Sequence, residues 1–135
     1  MPGKFILWLS AFVFIAYGLL GIAAPAMPAG FAGLTIDSGD AYAEISSMYG
    51  GLQTGLGAFC LLAALRADYY RAGLAVLVLG IGAVGVTRLL AGLITADPVT
   101  AYTWGASTYE IITALVAALA WRSAVLALRN SSQAG

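Results

Sequence analysis

Four long apolar runs constrain this chain more than any other feature of its sequence. Each run has about the 20 residues that a helix needs to cross the hydrocarbon core of a bilayer. The predicted spans are residues 5–24, 41–65, 73–94 and 102–120. The runs are continuous rather than alternating, which favours helices over the strands of a membrane barrel. We therefore predict an all-α fold, a four-transmembrane-helix antiparallel bundle, with residues 1–135 forming a single integral membrane domain.

The composition excludes several classes of function. Apolar residues make up 61% of the chain and charged residues only 9%, whereas a soluble domain carries roughly 25% charged residues. The sequence has no His and one Cys, which argues against imidazole ligation, an internal disulfide and a cysteine-built zinc site. We predict no metal site and no cofactor. The net charge of zero and the lack of a basic run argue against nucleic-acid binding.

The placement of charge predicts the orientation in the membrane. Outside the third run, the basic residues fall on one side of the four-span arrangement: Lys4, Arg66, Arg71, Arg122 and Arg129. The opposite side carries only acidic residues, namely Asp37, Asp40 and Asp97. Because cytoplasmic loops are enriched in Lys and Arg, we expect both termini to be cytoplasmic. An even number of spans independently requires both termini on the same side.

The first run has an alternative interpretation as a cleavable signal peptide. Lys4, the apolar run and the small-residue segment APAMPA resemble the three parts of such a peptide. The run is longer than the usual apolar core of roughly 7–15 residues, and it carries Trp8 and Tyr17. We therefore expect the first span to be retained.

Four polar residues interrupt the predicted spans: Glu44, Gln53, Arg88 and Glu110. A charge near the bilayer centre costs about 2.5–3.5 kcal/mol on insertion scales, so such residues normally face the helix bundle and find partners. Counting from the last turn at about 1.5 Å per residue, Arg88 and Glu110 differ in depth by only about 3 Å. We predict that these two side chains form a buried salt bridge.

A similar count from the turn near Asp68 places Arg88 level with Tyr49. Glu44 is then about 7 Å shallower and Gln53 about 6 Å deeper. Small residues share the helical faces of the charged residues: Gly85 and Gly92 for Arg88, Ser107 and Thr113 for Glu110, and the ridge of Ser47, Gly51 and Gly55 for Glu44. Because small residues let helices approach closely in lipid, we expect each of these faces to be a packing face.

These residues predict a ligand site lined by Glu44, Tyr49, Gln53, Arg88 and Glu110. Its expected ligand is a small amphiphile or a lipid, with Arg88 holding an anionic group; an accessory-subunit role is equally consistent. A purely structural alternative is an Arg88–Glu110 salt bridge that only holds two helices in register. A further alternative is a membrane enzyme acting on a lipophilic substrate, with Glu110 or Glu44 as acid or base. The last is an oligomeric small transporter. We assign no catalytic residue.

Several segments resemble one protein family. They are Glu44, MYGGLQTGLG at residues 48–57, GVTRLLAGL around Arg88 and YEIITALVAAL around Glu110. Over about residues 41–121 the chain resembles domain-of-unknown-function family 4345, whose members are short bacterial four-helix membrane proteins. The resemblance implies that Glu44, Tyr49, Gly50, Gly51, Arg88 and Glu110 match recurrent polar and glycine positions. From the four spans we expect the lipid bilayer as a partner and a bacterial inner membrane as the location, and we leave open whether the chain forms an oligomer or joins a larger complex.

Overall fold

The computed structural model describes the backbone of residues 2–133 and their side chains except at 128 and 130–133. The helices are α1 (Pro2–Ala23), α2 (Ala26–Phe31), α3 (Gly39–Leu65), α4 (Ala67–Ile94) and α5 (Ala101–Gln133). Within the described range there is no strand. All helices except the short α2 are long and apolar enough to cross a membrane. The predicted all-α class with four membrane-compatible helices is confirmed.

The helix boundaries differ from the predicted spans. Helix α4 begins at Ala67 instead of 73, so that Arg66 alone connects it to α3. Helix α5 continues to Gln133, well beyond the predicted end at 120, and α2 occupies part of the predicted loop between the first two spans. The helices extend beyond the predicted spans because an apolar run marks only the segment that prefers lipid. Backbone hydrogen bonding continues into the polar residues that follow, which also favour helix.

The connection between α1 and α3 uses local capping. Gly33 follows α2 with a φ of +70°, a conformation that side chains with a Cβ rarely adopt. Ser38 is the N-cap of α3, and its hydroxyl oxygen accepts a hydrogen bond from the Ala41 N–H at 3.0 Å. Asp40 in the first turn also stabilises the positive end of the helix. These residues end the connection at a defined point and begin the second long helix.

The helices belong to two compact units. The first unit is Trp8–Leu62, and the second unit combines the chain up to Leu7 with the chain from Ala63 onward. Each unit has its own packing between antiparallel helices.

In the first unit, α1 and α3 meet backbone to backbone at glycines. A Cβ at Gly18 would lie 2.5 Å from the backbone nitrogen of Thr54. A Cβ at Gly50 would lie 2.9 Å from the backbone nitrogen of Ile22, and Gly57 meets Ile15 in the same way. Positions rise along α1 as they fall along α3, which makes the two helices antiparallel. In lipid, such close approach provides the van der Waals contact that holds helices together.

A π-helical segment at Ser46–Gly51 decides which face of α3 packs. The buried residues Ile45 and Gly50 are five positions apart instead of three or four. The predicted ridge assumed a regular helix, and its packing role is wrong: Ser47, Gly51 and Gly55 are exposed. A Cβ at either glycine would meet nothing within 4 Å in the described structure. The wider π turn adds a residue and rotates the following face, so Gly50 and Gly57 pack instead.

In the second unit, α4 and α5 also pack antiparallel. A Cβ at Gly82 would lie 3.2 Å from the Cβ of Ala114, and one at Gly92 would lie 3.4 Å from the Trp104 ring. The buried line along α5 is Ser107, Glu110, Thr113, Ala117 and Ala120. The spacing of three and four residues keeps this line on one helical face. Its one charged member is the carboxylate of Glu110.

The glycine contacts predict opposite effects of two matched substitutions on α3. Gly50→Ala forces a Cβ against the α1 backbone, and we expect a loss of about 1–3 kcal/mol in the free energy of unfolding. Gly55→Ala enters open space and should be neutral or stabilise by up to about 1 kcal/mol through helix propensity. Unfolding in mixed micelles with increasing sodium dodecyl sulfate measures both. Equal stabilities of the two variants would contradict the assigned packing face.

Candidate functional site

Arg88 and Glu110 form a two-point ion pair between α4 and α5. The Nε of Arg88 donates to Oε2 of Glu110 at 2.9 Å, and its Nη2 donates to Oε1 at 2.9 Å. This fork geometry is the strongest arrangement available to a guanidinium and a carboxylate. The predicted salt bridge is confirmed, and it joins two helices that diverge from the same short turn.

Small residues bring the two helices close enough for this pair. A Cβ at Gly85, one turn before Arg88, would lie 2.9 Å from the Cβ of Glu110. The hydroxyl of Ser107, one turn before Glu110, donates to the carbonyl oxygen of Gly85 at 3.1 Å. The carboxylate and guanidinium therefore sit beside a buried interhelical hydrogen bond, where α4 and α5 are in close contact.

The two partners differ in exposure. The side chain of Glu110 is 11% exposed, while that of Arg88 is 28% exposed. Arg88 lines an open groove of about 440 Å³ with Ala83, Val84, Thr87 and Ala91. Those four residues are small or apolar, so the guanidinium is the one charged group among the described residues of the groove wall. It lies six residues before the end of α4 at Ile94, or about 9 Å along the helix.

The other predicted site residues lie in the first unit, on α3. Glu44 is exposed and precedes the π-helical segment, and its carbonyl oxygen accepts a hydrogen bond from the Ser47 hydroxyl at 3.0 Å. Tyr49 lies inside that segment and Gln53 follows it, and both are half-buried. Of the five predicted residues, the structure joins Arg88 to Glu110; a shared site with the three on α3 stays a prediction.

Two features near these residues were not predicted from the sequence. The Tyr49 ring lies against Tyr17 of α1, with ring centroids 6.5 Å apart. The π-helical segment carries Tyr49 and Gly50, and such wide turns occur often at functional sites. Hydrophobic periodicity does not reveal a π turn, because one extra residue in a uniformly apolar run leaves no visible break. Over residues 2–133, no three acidic or cysteine side chains come together in a way that would hold a metal ion.

These observations define the chain as an all-α protein with four membrane-compatible helices and an interhelical Arg–Glu pair. The family model described as "Domain of unknown function (DUF4345)" matches residues 3–121, nearly the whole chain. The chain belongs to this family. The match includes the first helix, which the sequence resemblance did not cover. No curated protein and no solved structure matches the chain.

The ion pair predicts a non-additive pattern of stability. Arg88→Leu leaves the mostly buried carboxylate of Glu110 without its partner, and we expect a loss of about 1–3 kcal/mol. Glu110→Leu should cost less, because the long Arg side chain can extend toward the helix end and water. The double variant Arg88→Leu/Glu110→Leu should be more stable than Arg88→Leu alone, since neither charge remains.

Unfolding of the parent, both single variants and the double variant in the same mixed micelles completes a double-mutant cycle. Losses that simply add would show that the two side chains do not stabilise each other.

Proposed function

We propose that the protein binds a small amphiphile or lipid in the groove beside Arg88. The observation that carries the proposal is a partly exposed guanidinium set into a wall of small and apolar residues. Such a wall suits an alkyl chain, and one polar group among apolar ones suits a ligand with one polar head. Pairing with Glu110 neutralises the guanidinium, which favours a head group that accepts hydrogen bonds over one selected by charge alone.

The position of the groove supports an amphiphile. Arg88 lies about 9 Å from the end of α4, near the depth at which lipid head groups meet acyl chains in a bilayer of about 30 Å hydrocarbon thickness. The head would reach Thr87 and Arg88, and the alkyl part would follow Ala83 and Val84 toward the centre of the span.

The test uses the double variant Arg88→Leu/Glu110→Leu, which removes the guanidinium from the groove without leaving an unpaired buried carboxylate. Thermal unfolding in dodecyl maltoside is measured with and without phosphatidylethanolamine, phosphatidylglycerol and palmitic acid as probes. We expect at least one probe to raise the melting temperature of the parent and to have no such effect on the double variant. Arg122→Gln on α5, which lies outside the groove, is the control and should respond like the parent.

Equal stabilisation of the parent and the double variant by every probe would contradict the proposed binding site at Arg88. The Arg88–Glu110 pair would then serve only to hold α4 and α5 together.

We also propose that the chain lies in a bacterial inner membrane with its Lys- and Arg-rich end in the cytoplasm. The basic residues at the start of α4 and beyond Ala120 of α5 support this orientation, since Gly3, Tyr70 and Ala120 lie at one level of the second unit. The turn with Asp97 is then outside.

Two single-cysteine variants test the orientation on a Cys60→Ala background, because Cys60 is the one native cysteine. In spheroplasts, a membrane-impermeant maleimide should label Asp97→Cys directly and Arg71→Cys only after lysis. The reverse pattern would invert the proposed topology.

A further inference from the structure

A second cavity lies near the start of α4, about 27 Å along that helix from Arg88. It has a volume of about 240 Å³ and is lined by Lys4, Ala63, Ala64, Arg66, Ala67 and Tyr70. All of these residues belong to the second unit. The cavity therefore combines the first turn of α1, the end of α3 and the start of α4.

Two glycines let the elements around the cavity approach closely. A Cβ at Gly3 would lie 2.9 Å from Cζ of Tyr70 and 3.0 Å from the Cβ of Ala120. Gly73 lies against Ala63 in the same way, and a Cβ there would also lie 3.1 Å from Cδ2 of Leu7. The Tyr70 ring is thereby held beside the start of α1, and the nearly buried Ala63 and Ala64 provide a small-residue floor.

The charges around this cavity are of one sign. Lys4 and Arg66 are both exposed, and neither forms an ion pair among the described side chains. Arg66 also precedes α4 directly, and no side chain caps the first turn of that helix. Uncapped N–H groups at a helix start favour an anion. The acidic residue closest in sequence is Asp68, which lies in that first turn and is exposed but does not line the cavity.

We propose that this cavity binds a phosphate group, with Lys4 and Arg66 as its cationic contacts. Both a phospholipid head group and free phosphate carry this chemistry. The volume is below the roughly 300–1,000 Å³ of pockets that enclose whole drug-sized ligands, so it suits a head group and not an entire lipid. Basic pockets between membrane-spanning helices on the cytoplasmic side bind anionic lipid head groups. The proposal is independent of the groove at Arg88.

The experiment compares two double variants that remove the same charge from the same end of the second unit. Lys4→Gln/Arg66→Gln removes both cationic contacts, whereas Arg71→Gln/Arg122→Gln removes two exposed residues that do not line the cavity. Phosphatidylglycerol is titrated onto each protein in detergent, and the bound fraction is read by native mass spectrometry. Phosphatidylcholine and inorganic phosphate are titrated in parallel.

Each Lys or Arg near an anionic surface strengthens binding about fivefold. We therefore expect the cavity variant to bind phosphatidylglycerol roughly 30-fold more weakly and the control to bind like the parent. Charge-conserving Lys4→Arg/Arg66→Lys should retain binding, and circular dichroism checks that each variant is folded. Tight phosphatidylglycerol binding with no effect of inorganic phosphate assigns the lipid source. Displacement of the lipid by inorganic phosphate at equal concentration assigns free phosphate.

Equal phosphatidylglycerol affinity of the cavity variant and the control would overturn the proposal, as would equal binding of phosphatidylcholine and phosphatidylglycerol by the parent. The cavity variant and its control are also compared on the Arg88→Leu/Glu110→Leu background, where the groove site is removed and the roughly 30-fold difference in phosphatidylglycerol binding should persist. A failure of the groove proposal and a failure of the cavity proposal are therefore distinguishable.

Discussion

The ion pair between the Arg88 guanidinium and the Glu110 carboxylate fixes how α4 and α5 pack in the second unit. A charge inside a membrane is costly without a partner, at about 2.5–3.5 kcal/mol on insertion scales. Arg88 and Glu110 offset the cost of their charges by binding each other through two hydrogen bonds. That contact demands a particular register of α4 against α5, and Gly85 and Ser107 permit it. The register in turn presents Arg88 to the groove, so the proposed function depends on the same interaction as the packing.

Close backbone contact is the second organising constraint. The hydrophobic effect contributes little to helix association in lipid. Van der Waals contact and interhelical hydrogen bonds must therefore hold the helices together. In each unit glycines allow such contact, for example Gly18 and Gly50 in the first and Gly85 in the second. The exposed glycines Gly51 and Gly55 lack such contacts in the described structure, which shows that a glycine pattern alone does not identify a packing face.

The two proposed binding regions of the second unit differ in chemistry. The groove at Arg88 is apolar with one neutralised charge, whereas the cavity at Lys4 and Arg66 has two cations without an ion-pair partner among the described side chains. The first suits a ligand that dissolves in the membrane, and the second suits an anion at its surface. Helix α4 contributes residues to both regions, near its opposite ends.

The sequence by itself determined the all-α class, the four membrane-compatible helices and the Arg88–Glu110 pair. The helices follow from the length of the apolar runs. The ion pair follows from the cost of a buried charge and from the rise per residue of a helix, which places the two residues at similar depth. Helix ends such as Ala67 were not predictable, because backbone hydrogen bonding does not stop where apolar residues do. Only the tertiary structure decided that Gly50 packs and Gly51 does not, because a π turn changes the phase of α3 without changing its hydrophobicity. The cavity at Lys4 and Arg66 also depends on the tertiary structure, because Gly3 and Gly73 let α1, α3 and α4 approach although Lys4 is far from the other lining residues in sequence.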